Sequence, residues 1–421
     1  MQTEPESIET PTGLGKTGPG KTVPCSDRAD WWFPQVWALC FCCLIAVTFR
    51  LWTGTEDVPA VAMADWAAAW PVPLRWLPLL GMLGGAVLVL AKPIAFRWGW
   101  WLMAGGLTLS FVIDQHRLQP WAYQTAIYGC VFATMHWTTA RRWLIPLAAS
   151  VYIYSAAGKL DYQFVHSVGQ DFLDVLLRPL GLSETFSDAT RIRLSGLFPV
   201  VELVAGLLLL PRVTRKYAGW AVIAIHVSLI GILGPWGLNH SLGVLVWNAA
   251  LLTQAWFLFI APRRNSARPP NRSRWIATTV VCLALVAPLS ERAGWWDHWT
   301  SWALYSPHNS RAVVELHRSS FDSLPPAVRN HLAADKDSVW QELRLDEWSL
   351  ESLSVPVYPQ SRYQLALAIE LAERFDIDPS AIRCRLRSAS DRMDGSRQEK
   401  PLLGLNEIKA AMKDYWLVDE S

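Results

Sequence analysis

The chain has 421 residues, of which 52% are apolar and only 18% charged, against about 25% charged in ordinary soluble domains. Its net charge of +2 excludes the strongly basic footprint of a nucleic-acid binder. The seven cysteines (Cys25, Cys40, Cys42, Cys43, Cys130, Cys282 and Cys384) are scattered, and the one close group, Cys40, Cys42 and Cys43, lies inside an apolar run, which argues against a disulfide framework and a cysteine zinc site. Tryptophan is abundant, at 25 residues, and amphipathic indole rings favour membrane–water interfaces.

In chain order, residues 1–30 are rich in Gly, Pro, Thr and Glu and read as a disordered tail. A polar stretch of that length ahead of the first apolar run argues against a cleaved leader. Residues 31–290 read as a helical transmembrane domain of about nine spans, near 31–52, 75–91, 98–113, 120–137, 143–158, 194–210, 217–234, 238–261 and 275–290. Several are shorter than the ~20 residues of a straight span, so tilt or borrowed flanks are expected.

Alternate loops differ sharply in charge. One set carries Lys92 and Arg97; Arg141 and Arg142; Arg212, Arg215 and Lys216; and Arg263, Arg264, Arg268, Arg272 and Arg274, without Asp or Glu. The other carries Asp114, His116 and Arg117, the mixed 159–193 segment, and the uncharged turn 235–239. The excess of Lys and Arg on cytoplasmic loops places the N-terminus inside and, after nine spans, residues 291–421 outside. The expected location is the cytoplasmic (inner) membrane. Within 159–193, SVGQDFLDVLLRPLGL is amphipathic and predicts a short helix lying along the outer interface.

From about Arg292 the composition becomes that of a soluble domain. Arg311 to Arg318, Trp340 to Leu345 and Ala381 to Leu386 read as strands. Pro359 to Phe375 reads as a helix with Leu365, Ala368, Ile369 and Ala372 on one stripe, and Asn406 to Tyr415 as another with Asn406 as N-cap. The fold class expected is therefore mainly α, a polytopic helical membrane bundle followed by a small α+β domain. Cys384 reads as a core residue. His308, His317 and His331 lack metal-ligand spacing, so no metal is assigned.

Ionisable groups inside a membrane are costly and mark cavities or protein interiors. Lys159 and Asp161 end the fifth expected span, Glu202 lies within LFPVVELVAGLLLL, and His226 within WAVIAIHVSLIGIL. Asn239 and His240 open the eighth, with Asn248 deeper inside, and Asp114, His116 and Arg117 form a turn on the same membrane side. Two readings stand at each place. Lys159 is either a snorkelling anchor paired with Asp161 or a base or ligand at a site, with His226 as its catalytic companion. Glu202 is either neutral and bonded to a neighbouring helix or part of a cavity. His226 is either a satisfied core imidazole or a cavity group. The 114–117 turn either only ends a helix or supports the site.

The run SAAGKLDYQFVHSVGQDFL, followed by LFPVVELVAGLLLLPRVTRKYAGWAVIAIHVSLI, resembles the DoxX/MauE group of membrane proteins and the related HTTM and vitamin K-dependent gamma-carboxylase membrane domains. The likeness covers about residues 100–260. It implies a redox- or quinone-associated protein, with quinone or quinol as cofactor and a redox or envelope protein as partner alongside the lipid bilayer. Lys159-Leu160-Asp161 matches the Lys-Leu-Asp whose lysine serves the carboxylases as base toward a reduced quinone, and His226 is similar in position to a later-helix histidine. Two alternatives remain, a quinol-dependent carboxylase-like enzyme and a non-catalytic scaffold with an outward partner-binding domain. Against the carboxylase stand the smaller C-terminal region and the lack of a visible site for a glutamate substrate.

Overall fold

The computed structural model describes residues 32–91, 96–261, 274–333 and 338–415. The expected tail, Lys92 and residues 262–273 of the basic loop lie outside the described residues. The chain is mainly helical (66%) with one small antiparallel sheet.

Each of the nine expected spans coincides with helix. The long helices are α1 (Trp32–Val47), α2 (Leu77–Ala91), α3 (Phe96–Ile113), α4 (Pro120–Thr134), α5 (Trp137–Lys159), α7 (Asp188–Leu208), α8 (Arg215–Leu233), α9 (Leu242–Ala255) and α10 (Trp275–Val286). The amphipathic segment forms α6 (Val168–Leu177). By length and composition, however, four described segments qualify to cross a membrane, Leu74–Ala91, Arg215–Leu233, Leu242–Ile260 and Trp275–Ala293. The other five fall short for physical reasons. Trp32–Val47 has 16 residues and Pro120–Thr134 has 15; α3 opens with Arg97, Trp98, Trp100 and Trp101; Arg141, Arg142 and Lys159 lie toward the ends of α5, and Asp188, Arg191, Arg193 and Glu202 lie within α7.

Pro120–Thr134 is surrounded by protein along nearly its whole length, which explains its polar content. Gln124 donates to Gln254 Oε1 at 2.9 Å and accepts from Trp247 Nε1 at 3.1 Å, while Tyr128 donates to Gln254 Oε1 at 2.5 Å. Such bonds hold helices together where no water competes. Conversely, Val200, Val201, Val204 and Leu207 on α7 and Trp220 and Val227 on α8 are exposed, as lipid-facing positions would be.

The C-terminal sheet runs β2-β1-β3-β4, formed by β1 (Arg311–His317), β2 (Trp340–Glu342), β3 (Ile382–Arg387) and β4 (Glu399–Leu403), all neighbours antiparallel. The three expected strands are present, and β4 was not anticipated because Lys400 and Pro401 break any apolar alternation. Cys384 is buried between Val314 and Leu402, and burial pushes its thiol up to about 12. α12 (Ser361–Arg374) follows α11 (Leu345–Leu353) and packs on β1. It buries Tyr363, Leu367 and Leu371 as well as Leu365, Ala368 and Ala372, so it is covered on more than the one expected stripe. Its other side meets the helical domain. α13 (Leu405–Met412) begins after Gly404, which occupies the N-cap position assigned to Asn406. The sheet and the helices share one continuous core.

Candidate functional site

α5 carries Tyr152, Ser155 and Lys159 at spacings that place them on one helix face. Lys159 Nζ donates to Ser155 Oγ at 2.8 Å and pairs with Glu202 Oε2 of α7 at 2.6 Å. The two side chains of this pair are 8% and 14% exposed. The helices meet closely at Gly206, one turn beyond Glu202, where a Cβ would lie 3.0 Å from Tyr152 Cβ and 3.0 Å from Ile153 Cγ1. The expected Lys159–Asp161 pair is not the one formed. Asp161 caps the short helix Tyr162–His166 by accepting from the Gln163 amide at 2.9 Å, and it pairs with Arg292 at 2.8 Å. It is a buried brace between the end of α5 and the chain leaving α10.

His226, in α8, sits between two partners. Its Nε2 lies 2.8 Å from Tyr152 Oη and its Nδ1 lies 2.9 Å from Asn248 Oδ1. Asn248 Nδ2 donates to the Val244 carbonyl at 2.9 Å, and a carbonyl accepts only, so Asn248 presents its oxygen to the imidazole. Nδ1 therefore carries the proton, and Nε2 accepts from the Tyr152 hydroxyl. The result is an ordered chain of donors, Tyr152 to His226 to Asn248.

Both arrangements border one cavity of about 290 Å³. Tyr152, Ser155, Lys159, Glu202, His226, His240 and Asn248 line it, along with Trp121, Trp247 and Leu251. A mostly apolar cavity with a few convergent polar groups is the usual form of a small-molecule site. Its other wall comes from the C-terminal region: residues 303–307, and 355–357 with Pro359. Asn239, Trp302 and Tyr305 adopt positive φ of 50°, 60° and 56°, an uncommon conformation for bulky residues that collects at functional sites. Tyr305 and His240 meet edge to face at 5.7 Å on the cavity wall. Burial raises the Tyr305 phenol from its ordinary value, so it favours its uncharged form.

Asp114, His116 and Arg117 do not line the cavity. They form a buried turn that docks the C-terminal region. Arg117 Nε donates to the Leu51 carbonyl at 3.2 Å and lies 3.7 Å from Asp114. The neighbouring Gln115 accepts from Arg362 of α12, which also pairs with Asp297 at 2.7 Å. His116 Nε2 donates to the Pro356 carbonyl at 3.0 Å, so the turn supports the cavity wall from behind. Burial lowers the His116 imidazole, with Asp114 and Asp346 opposing and Arg117 assisting.

Sequence reasoning missed Tyr152 and Ser155, although their spacing from Lys159 along the helix was readable. It also missed a buried cluster outside the membrane pattern. Glu291, His298 and His308 bring one ligand atom each to within 4.8 Å of one another. His308 was judged against His317 and His331, neither of which belongs to the cluster; its companions lie 10 and 17 residues upstream, outside any metal-motif spacing. Comparison of the chain with family models, curated proteins and solved structures finds no match.

Proposed function

We propose that this chain is a multi-pass membrane protein that binds a quinone-class molecule in the cavity bounded by Lys159, Glu202 and His226. The carrying observation is the state of Lys159. An ammonium has three N–H donors; two meet Ser155 and Glu202, leaving one for a ligand oxygen in a largely apolar space. A quinone offers that combination, a flat apolar ring edged by two acceptor oxygens. The Tyr152–His226–Asn248 chain supplies a second polar contact across the same cavity.

The pair also gives a route for one proton. Glu202 takes the ammonium proton from Lys159, the neutral amine accepts the proton of a bound quinol hydroxyl, and the quinolate oxygen is left facing an ammonium. Atoms and charge balance: Glu202 holds the proton that Lys159 gave up, and Lys159 holds the one the quinol lost. Low-dielectric surroundings strengthen such an ammonium–oxyanion contact. The Lys-Leu-Asp likeness supports a second reading, in which this step opens a quinol-dependent carboxylase-like reaction with Lys159 as base. Epoxide formation from quinol, or carbon dioxide incorporation, separates that reading from simple binding. The scaffold reading is disfavoured because the C-terminal region completes the cavity rather than standing apart from it.

In this reading the nine helical segments lie within the bilayer, with the N-terminus inside and residues 291–421 outside. Full-length protein in lipid nanodiscs, titrated with a short-chain quinol, should show saturable binding that Lys159→Ala abolishes. Unchanged binding by the variant would remove Lys159 from the site.

A further inference from the structure

We propose that Glu291, His298 and His308 form a binding site for one zinc-class divalent ion, independent of any ligand in the cavity. The backbone fixes where the imidazole protons sit. His298 Nε2 lies 2.9 Å from the Ser306 carbonyl, and His308 Nδ1 lies 3.1 Å from the Gly158 carbonyl. Carbonyls only accept, so these nitrogens carry N–H groups. In neutral imidazoles the remaining nitrogens, His298 Nδ1 and His308 Nε2, hold lone pairs. Both point at the same carboxylate, 2.9 and 3.0 Å from Glu291 Oε1.

Lone pairs facing a carboxylate repel unless a positive charge lies between them. The choices are two added protons, giving adjacent imidazoliums whose rings are only 4.9 Å apart, or one cation shared by all three side chains. Two features favour the cation. Both histidines are almost wholly buried, at 3% and 1% exposure, and two neighbouring imidazoliums would set like charges against each other, whereas a single ion is ligated by all three side chains. In addition, each imidazole donates its far N–H to a backbone carbonyl, the orientation that metal-binding histidines adopt.

Two nitrogens and one carboxylate oxygen match a zinc donor set with an open position. Bonds of about 2.0–2.1 Å in tetrahedral geometry separate ligand atoms by roughly 3.3 Å. The observed carboxylate–nitrogen separations need to widen by only a few tenths of an ångström to admit the ion. His298 and Ser306 also border the cavity, so water or a cavity oxygen can complete the coordination. Through the Gly158 carbonyl the ion would fix the end of the helix that carries Lys159. A Cβ at Gly158 would lie 2.6 Å from Ser306 Oγ, so the segment 306–308 is pressed directly against this helix end.

The test uses full-length protein in detergent, stripped with a chelator and titrated with Co²⁺ as a spectroscopic probe. The site predicts one equivalent bound, visible d–d bands with nitrogen and oxygen ligation, and displacement by Zn²⁺. Glu291→Gln keeps the side-chain shape and one acceptor oxygen but removes the negative charge, and should weaken the ion by at least about 100-fold, the upper end of what even outer-shell changes achieve. Lys159→Ala should bind Co²⁺ like the wild type, so failure of the cavity reading and failure of the metal site are distinguishable. Absence of one-to-one binding in the wild type, or equal binding by folded Glu291→Gln protein, would overturn the proposal and assign the cluster to protonated histidines.

Discussion

Replacing Glu202 by Gln would leave the Lys159 ammonium buried beside Ser155 alone. At the observed 2.6 Å separation, the attraction between unit charges is roughly 6 kcal/mol at an effective dielectric of about 20. Desolvation of both ions offsets part of that, and removal of one partner from a buried pair typically costs about 3–5 kcal/mol. With side chains 8% and 14% exposed, solvent screening reduces the figure little. Glu202→Gln and Lys159→Met should therefore each destabilise the protein by a few kcal/mol in reversible unfolding in detergent or bicelles. The double variant Lys159→Met/Glu202→Gln, with no charge left to solvate, should be markedly more stable than the sum of the single losses. Additive losses, or a Glu202→Gln protein as stable as the wild type, would refute the pair. Quinol binding should fall in all three variants.

The other predictions concern the frame of the site. Gly206→Leu should press α7 away from Tyr152 at a cost of about 1–3 kcal/mol, and it should weaken quinol binding through displacement of Glu202; unaltered binding would mean the close approach does not position the pair. His116 supplies a pH test. Its folded-state value lies below the ordinary His value of about 6.5, so the unfolded chain binds the extra proton first. Its stability contribution is complete above pH ~6.5 and declines as pH falls toward the lowered folded value, by at most about 1.4 kcal/mol per pH unit. His116 Nδ1 is buried without a hydrogen-bond partner, which is the physical reason protonation is resisted. His116→Gln retains a donor for the Pro356 carbonyl and should flatten the pH 7-to-5 stability profile by one proton in denaturant titrations; an unchanged slope would contradict this assignment.

Periodicity made the helices legible. Each expected apolar run is helical, and a helix satisfies its interior backbone groups within itself. What periodicity did not reveal is which helices are wrapped by protein. Pro120–Thr134 reads as an ordinary span until Gln124, Thr125 and Tyr128 are seen bonded inside the bundle. The strands around Val314 and Cys384 were legible from alternation, whereas β4, with Pro401 at its centre, was not.

The candidate site was legible in its parts and not in its pairings. Lys159, Glu202, His226, His240 and Asn248 stood out as polar groups in apolar surroundings, and they do meet at one cavity. Of the two readings of Lys159, the anchor reading pairs it with Asp161, two residues away. The helix turn instead sends Lys159 toward Glu202 and frees Asp161 to cap the next helix and hold Arg292. Asp114, His116 and Arg117 shared a membrane side with the site in the charge pattern, but their contacts reach Leu51 and Pro356 rather than the cavity. The Glu291–His298–His308 cluster had no local signature because an irregular segment folds back to assemble it.

The central claim is that Lys159 holds a quinone-class molecule in a specific cavity. The most direct measurement is photocrosslinking of a photoreactive short-chain quinone to full-length protein in nanodiscs, followed by peptide mapping. The account predicts saturable labelling of cavity residues such as Tyr152, Trp247 or Tyr305, blocked by excess unlabelled quinone and lost in Lys159→Ala. Labelling confined to exposed side chains outside the cavity such as Val201 or Trp220, or unchanged by Lys159→Ala, would contradict it.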